Sequence, residues 1–265
     1  MSLIHPTAII EDGAKIAPSV KIGAYCCIGK DVVLHDNVEL KSHVAVDGIT
    51  EIGEGTVIFP FAAIGHINQD MKYAGEPSRL VIGKNNKIRE HVTMHPGTTV
   101  GGMLTKVGDN CLFMVASHVA HDCMVGNNVI MANNATLAGH VTVGDFAIIG
   151  GLSAVHQFVR IGQYAMVGGM SGIESDLIPY GMAYGERASL NGLNLVGLRR
   201  KGFSKDEINA VRKAFKEIFD KELAVDSADK RLAEVKSNLG EFSVVKDLLE
   251  FIESEHSRSL CRPKG

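Results

Sequence analysis

The chain has 265 residues, a formal net charge of −3 and five cysteines. That balance argues against bulk binding to nucleic acid, and no apolar run approaches the roughly 20 residues of a membrane-spanning helix. The number of cysteines is odd, and Cys26, Cys111 and Cys123 occupy small-residue positions of the repeat described next, so Cys26, Cys27, Cys111, Cys123 and Cys261 are expected to be structural thiols rather than disulfides or metal ligands.

From the N-terminus onward every sixth residue is aliphatic: Ile4, Ile10, Ile16, Ile22, Ile28, Leu34, Leu40, Val46, Ile52, Ile58 and Ile64. Because Ile4, His5 and Pro6 already belong to this beat, we expect no export leader and no preceding domain, and a cytoplasmic chain. A period of six fits neither a helix nor plain strand alternation, and it marks a solenoid of short strands separated by turns. Glycine often follows the aliphatic residue, as at Gly23, Gly126 and Gly144, where it is expected to permit the turn. Small or β-branched residues recur four places after the aliphatic one, as at Thr56, Ala135 and Ser153. Three such sides make a triangular coil of eighteen residues.

The beat breaks twice. Between Ile64 and Ile82 the two core positions would be Asp70 and Glu76, and burying an unpaired carboxylate costs several kcal/mol, about 3–5 when a partner is missing. The segment from 65 to 81 is therefore expected to leave the solenoid as a loop. The beat resumes at Ile82, Ile88, Met94 and Val100, slips by one residue around Gly101, Gly102, Met103 and Leu104, and then runs strictly from Val107 to Ile173. A second, smaller loop is expected near 101–106. A solenoid tolerates neutral loops on its outside, but long loops in compact proteins are usually functional or disordered, and a functional role is expected here.

Composition changes after Pro179. Ser204 and Glu207 have capping-box spacing, Ile208, Val211, Phe215, Ile218 and Phe219 form one apolar stripe, and Val244, Val245, Leu248, Leu249 and Ile252 form another. The expected organisation is a parallel β-helix over 1–191 and a helical domain over 192–265 that covers its C-terminal end, since solenoid ends need caps.

Within the strict run, residues eighteen apart stack in one column about 4.8 Å apart. His121 then lies beside Gly139 with Gln157 beyond, Asp122 lies beside His140, and His156 falls in the adjoining column. A histidine base next to a bare backbone N–H is equipment for acyl transfer: one activates an alcohol, the other receives a tetrahedral oxyanion. Asp122, adjacent to His121, would face away from it unless a corner intervenes. His91, His95, His118, His121, His140 and His156 all fall between 91 and 156, and such a patch equally suits a zinc ion.

The strings NQDMKYAGEP at 68–77, AHDCMVGN at 120–127, ANNATLAGHV at 132–141, AVHQF at 154–158 and GLRRKGFS at 197–204 resemble the UDP-N-acetylglucosamine acyltransferase family, which begins lipid A synthesis. The resemblance covers nearly the whole chain. It implies a mainly β fold, a left-handed parallel β-helix with a C-terminal α-helical domain, assembled as a homotrimer with active sites between subunits. It implies transfer of a 3-hydroxyacyl chain from acyl carrier protein, whose phosphopantetheine carries it, to the glucosamine 3-hydroxyl of UDP-N-acetylglucosamine, with no other cofactor and no metal.

Residue by residue, the resemblance makes His121 the general base and Gly139 the oxyanion donor. It places Gln69, Asp70, Lys72, His95, His118, Asp122, His140, His156, Gln157, Asn194, Arg200 and Lys201 against substrate, and Gly169 where the acyl-chain length is measured. Two positions depart from the family pattern: lysine stands at 201 where arginine is expected, and Val196 replaces an acidic residue. Taken without the resemblance, the repeat and the histidine patch also fit another hexapeptide acyltransferase or acetyltransferase, or a zinc hydratase of the γ-carbonic-anhydrase type. The run Arg199, Arg200 and Lys201 also reads as a solvated charged face.

Overall fold

A computed structural model describes residues 3–219 and 227–264. The chain winds through three faces of short, mostly two-residue strands, and every third strand joins the same sheet. The sheets hold nine, eight and ten strands and are called here the first, second and third faces. Apart from the closing hairpin, neighbours on a face run parallel, and in the strict run the register advances by eighteen residues, as in Val119 beside Leu137 beside Val155 beside Ile173. The architecture is mainly β, a left-handed parallel β-helix of triangular section with a C-terminal helical part.

The periodic apolar residues fill the axis. Ile28, Leu34, Leu40, Ile52, Ile58, Ile64, Ile88, Phe113, Met131 and Val155 are all almost fully buried. Cutting one such Leu or Ile to Ala costs about 2–5 kcal/mol, because a column packed only by neighbouring coils has little freedom to close the void.

Glycine in the repeat has a different role from the one expected. The positive φ angles at the corners belong mostly to other residues, among them Asn37, Asn128, Asp122, His140, Phe146, Phe158 and Tyr164. A Cβ on Gly126 would lie 2.3 Å from Asp145 Oδ1, and one on Gly144 would lie 2.5 Å from the Gln163 backbone nitrogen. Gly126 and Gly144 are thus required by the close approach of the next coil, and the left-handed turn falls to residues that adopt it at about 1–2 kcal/mol each.

Register locates the inserts. Ile52 pairs with Ile82, thirty residues on, and Ile82 with Val107, twenty-five on, in place of the usual eighteen. The first insert occupies 65–78, before the strand Arg79–Ile82. The second is larger than a one-residue slip and lies earlier than expected, over 95–103. Leu104–Val107 is strand rather than loop, and Val100, placed in the core by the beat, is 76% exposed. Both inserts leave the same edge of the prism, between the first and second faces, in successive coils.

The solenoid closes with an antiparallel hairpin of Gly181–Tyr184 and Ser189–Leu193. Helices α1 (Leu195–Arg200), α2 (Lys205–Phe219), α3 (Ala228–Leu239) and α4 (Ser243–Glu253) follow. Of the segment 192–265, residues 220–226 and 265 lie outside the described residues. The Ser204–Glu207 capping box forms reciprocally, with the Glu207 N–H donating to Ser204 Oγ at 3.2 Å and the Ser204 N–H to Glu207 Oε2 at 2.8 Å. The end of the chain is extended and returns to the prism: the Asp176 N–H donates to Ser259 O, and the Leu190 N–H to Arg262 O.

Candidate active site

The second insert covers one corner. Asp122 has φ of +59° there, and this corner turns its side chain to the same side as His121. Its Oδ2 lies 2.8 Å from His121 Nδ1, and an ionised carboxylate only accepts, so Nδ1 carries the proton and the far nitrogen, Nε2, is left basic. Asp122 Oδ1 accepts the Thr98 N–H at 2.7 Å, Oδ2 accepts the Thr98 hydroxyl at 2.6 Å, and the Asp122 N–H donates to Thr105 Oγ1. The Asp122 side chain is 1% exposed and that of His121 12%.

The loop reaches the carboxylate through glycine. A Cβ on Gly101 would lie 2.0 Å from Asp122 Cγ, so no other residue fits there without moving the loop. Asn68 of the first insert donates to Gly97 O at 3.1 Å, which ties the two inserts together. Asp70 turns its Oδ1 to the Lys72 N–H at 2.9 Å. It is half-buried, while Gln69 and Lys72 are exposed.

Gly139 lies beneath His121. A Cβ there would sit 2.4 Å from His121 Cε1 and 2.6 Å from Nε2, so the imidazole occupies the space that a side chain would fill. Among the described residues, nothing accepts a hydrogen bond from the Gly139 N–H. His140 sets its ring edge-on to His121 at 5.1 Å and stacks on Phe158 at 4.4 Å. His118 bonds Thr93 Oγ1 at 2.7 Å and meets His95 edge-on at 5.0 Å.

Burial disfavours a proton on three of these histidines. Desolvation, with the neighbouring histidines His118, His66 and His121, pushes His95 down to about 4. Desolvation lowers His118 and His140 as well, with His121 adding to both, although Asp122 and Asp70 oppose the shift at His140. The buried Nδ1 of His95 has no hydrogen-bond partner among the described residues.

His121, Asp122 and His140 bring one ligand atom each within 4.8 Å, close enough in principle for a metal ion. The donor set fits one poorly. Asp122 already accepts three hydrogen bonds and His121 Nδ1 donates to it, an arrangement that orients a base rather than leaving lone pairs for a cation.

Comparison with known proteins decides between the alternatives. The family model described as Udp N-acetylglucosamine O-acyltransferase, domain 2, matches residues 176–261, and the bacterial transferase hexapeptide model (six repeats) matches 104–139. An acyl-(acyl-carrier-protein)–UDP-N-acetylglucosamine O-acyltransferase of Rickettsia canadensis is 55% identical over 98% of this chain and 97% of its own length. The chain belongs to this family of O-acyltransferases. The namesake from Azorhizobium caulinodans is 49% identical over 99% of this chain and 96% of its own. Among solved structures, the UDP-N-acetylglucosamine acyltransferase from Campylobacter jejuni is 41% identical with a TM-score of 0.92, over 98% of this chain and 100% of its own. The Arabidopsis enzyme, 37% identical over the same shares, gives 0.86.

The acyltransferase does not gather all the sequence-selected residues on one edge. His95, His118, His121, Asp122, Gly139, His140, His156, Gln157 and the first insert lie at or beside the edge between the first and second faces. Asn194, Arg200 and Lys201 line a separate, mostly apolar cavity of about 670 Å³ with Phe146, Tyr164 and Val196 at the edge between the second and third faces. Asn194 Oδ1 caps α1 through the Gly197 N–H, and its amide donates to Tyr164 O. Lys201 Nζ sits 4.5 Å over the Phe146 ring.

Gly169 lies at the remaining edge, between the third and first faces. A Cβ there would be 3.3 Å from Gly151 O, a tight contact that requires the neighbouring coil to give by a few tenths of an ångström.

Sequence reasoning missed Thr98, Thr105, Asn68 and Arg258. The Arg258 guanidinium donates to Gln157 O at 3.0 Å and lies 2.9 Å from His156 Nδ1. No periodicity links residues a hundred apart, but the pair Gly97 and Gly101 flanking a threonine in an off-beat segment is a readable sign of close approach.

Proposed function

We propose that this chain transfers a 3-hydroxyacyl group from acyl carrier protein to the glucosamine 3-hydroxyl of UDP-N-acetylglucosamine, the first step of lipid A biosynthesis. The observation that carries the reading is the buried Asp122–His121 pair set against the unoccupied Gly139 N–H. His121 Nε2 takes the proton of the 3-hydroxyl as that oxygen attacks the thioester carbonyl. The carbonyl π pair moves onto oxygen, where the Gly139 N–H meets it. Collapse expels the phosphopantetheine thiolate, which takes the proton back from the imidazolium, so an ester and a free thiol result and the base is regenerated.

Direct attack is supported by the thiols. Burial pushes Cys111 up to about 11 and Cys123 up to about 12, so neither supplies a thiolate nucleophile near neutral pH. The sugar nucleotide is held by Gln69, Asp70 and Lys72 of the first insert, with His95, His118, His140, His156 and Gln157 lining the cleft and the orphaned His95 Nδ1 offering a polar contact. Arg200 and Lys201 take the phosphates, and Gly169 admits a long acyl chain.

Three edges of one prism cannot face one substrate, and this supports a homotrimer in which each site draws on neighbouring subunits. The five free thiols fit a reducing compartment, the cytoplasm. The test is purified protein with UDP-N-acetylglucosamine and a panel of 3-hydroxyacyl carrier proteins, read by product mass. A monoacylated sugar nucleotide from at least one donor is expected, and no transfer from any donor overturns the reading.

A further inference from the structure

We propose that Thr98 is a positioning residue for the reaction, fixing the Asp122 carboxylate so that His121 presents Nε2 as the base. The proposal rests on the assignment of His121 as that base. Among the described residues, Thr98 is the one whose backbone and side chain both hold the carboxylate, the N–H on Oδ1 at 2.7 Å and the hydroxyl on Oδ2 at 2.6 Å. It is 4% exposed. Two donors on different oxygens remove both the torsional and the tilting freedom of a carboxyl group. The third hydrogen bond, from His121 Nδ1 to Oδ2, then fixes the ring.

The hydroxyl is not what folds the loop. The Thr98 carbonyl accepts the N–H groups of Gly101 at 3.2 Å and Met103 at 2.7 Å, and the Gly97 N–H donates to Arg79 O at 3.3 Å. The turn is therefore closed by backbone contacts that a side-chain change leaves in place. Its distance in sequence from the base, across an insert that the repeat does not require, shows that the insert adds more than a cover. It supplies the donors that make an otherwise ordinary prism corner hold an anion.

A carboxylate that shares its charge with fewer donors holds a protonated imidazole more strongly. Removing the hydroxyl therefore raises the affinity of His121 for a proton and loosens its aim. Among the described residues, the other titratable groups that face His121 are His140, His118 and His95, and burial lowers all three.

The experiment compares Thr98→Val and Thr98→Ser with the unaltered chain in steady-state acyl transfer over pH 5–9. Thr98→Val, nearly isosteric, is expected to lower kcat about tenfold, the effect of one hydrogen bond to a charged group. KM for the sugar nucleotide stays within about twofold, and the acid limb of kcat/KM moves to higher pH. Thr98→Ser restores both rate and limb. A Thr98→Val enzyme with unaltered kcat and limb overturns the proposal, as does a Thr98→Ser enzyme as impaired as Thr98→Val, which makes the role one of packing. His121→Ala is run beside them: if it keeps its rate, the base assignment itself fails.

Discussion

Two edges of this prism use the same backbone device to different ends. At both, residues with φ near +60° turn the corners of the strict run, and rings there stack between coils: His140 on Phe158 at the first edge, Phe146 on Tyr164 at the other. The first edge is overlaid by the two inserts, which bury Asp122 and surround it with donors. The second is overlaid by the start of the helical region, which leaves an apolar slot rimmed by Arg199, Arg200 and Lys201. A repeated coil supplies position, and what is laid over its corners decides whether the position becomes a buried carboxylate–histidine pair or an apolar slot. Neither edge alone carries both.

The comparison can be broken first at His121. His121→Ala is expected to lower kcat by about 10²–10⁴ with little change in KM, measured by product formation at saturating substrates. An unaffected rate would remove the chemistry from this edge. The second edge should respond differently: Arg200→Ala is expected to raise KM for the sugar nucleotide about tenfold while kcat holds within about threefold, since a phosphate contact contributes to binding in ground and transition states alike. A kcat defect without a KM defect would place Arg200 among the reacting atoms instead.

Smaller in rate, and sharper in specificity, is the third edge. Gly169→Met should shift the preferred acyl donor to a shorter chain while leaving total activity on that donor within about threefold, because the added side chain takes up room that glycine leaves beside Gly151 O. An unchanged chain-length profile would show that the acyl chain does not run along this edge.

The fold was legible because its rule is local and repeated. A buried aliphatic every sixth residue leaves little choice of architecture, and the eighteen-residue coil correctly placed Gly139 against His121 and Asp122 against His140. The rule misled where the chain left it. Val100 kept the beat by coincidence while standing on an exposed loop. The glycines marked tight coil contacts rather than turns, since an amino acid's identity does not say which of its two freedoms is being used. Asp122 was ambiguous because only the corner's positive φ turns it back toward His121. Thr98 and Arg258 were illegible for a plainer reason: their contacts come from an insert and from a returning terminus, which carry no register to count.

That one site draws on several edges is the central claim, and mixing tests it most directly. His121→Ala and Arg200→Ala subunits, each impaired alone, are unfolded and refolded together in equal amounts. If sites form between subunits, random assembly leaves about one site in four with both residues intact, and about a quarter of wild-type activity at low sugar-nucleotide concentration should return. Activity no greater than the average of the two variants alone would contradict the account and confine each site to a single chain.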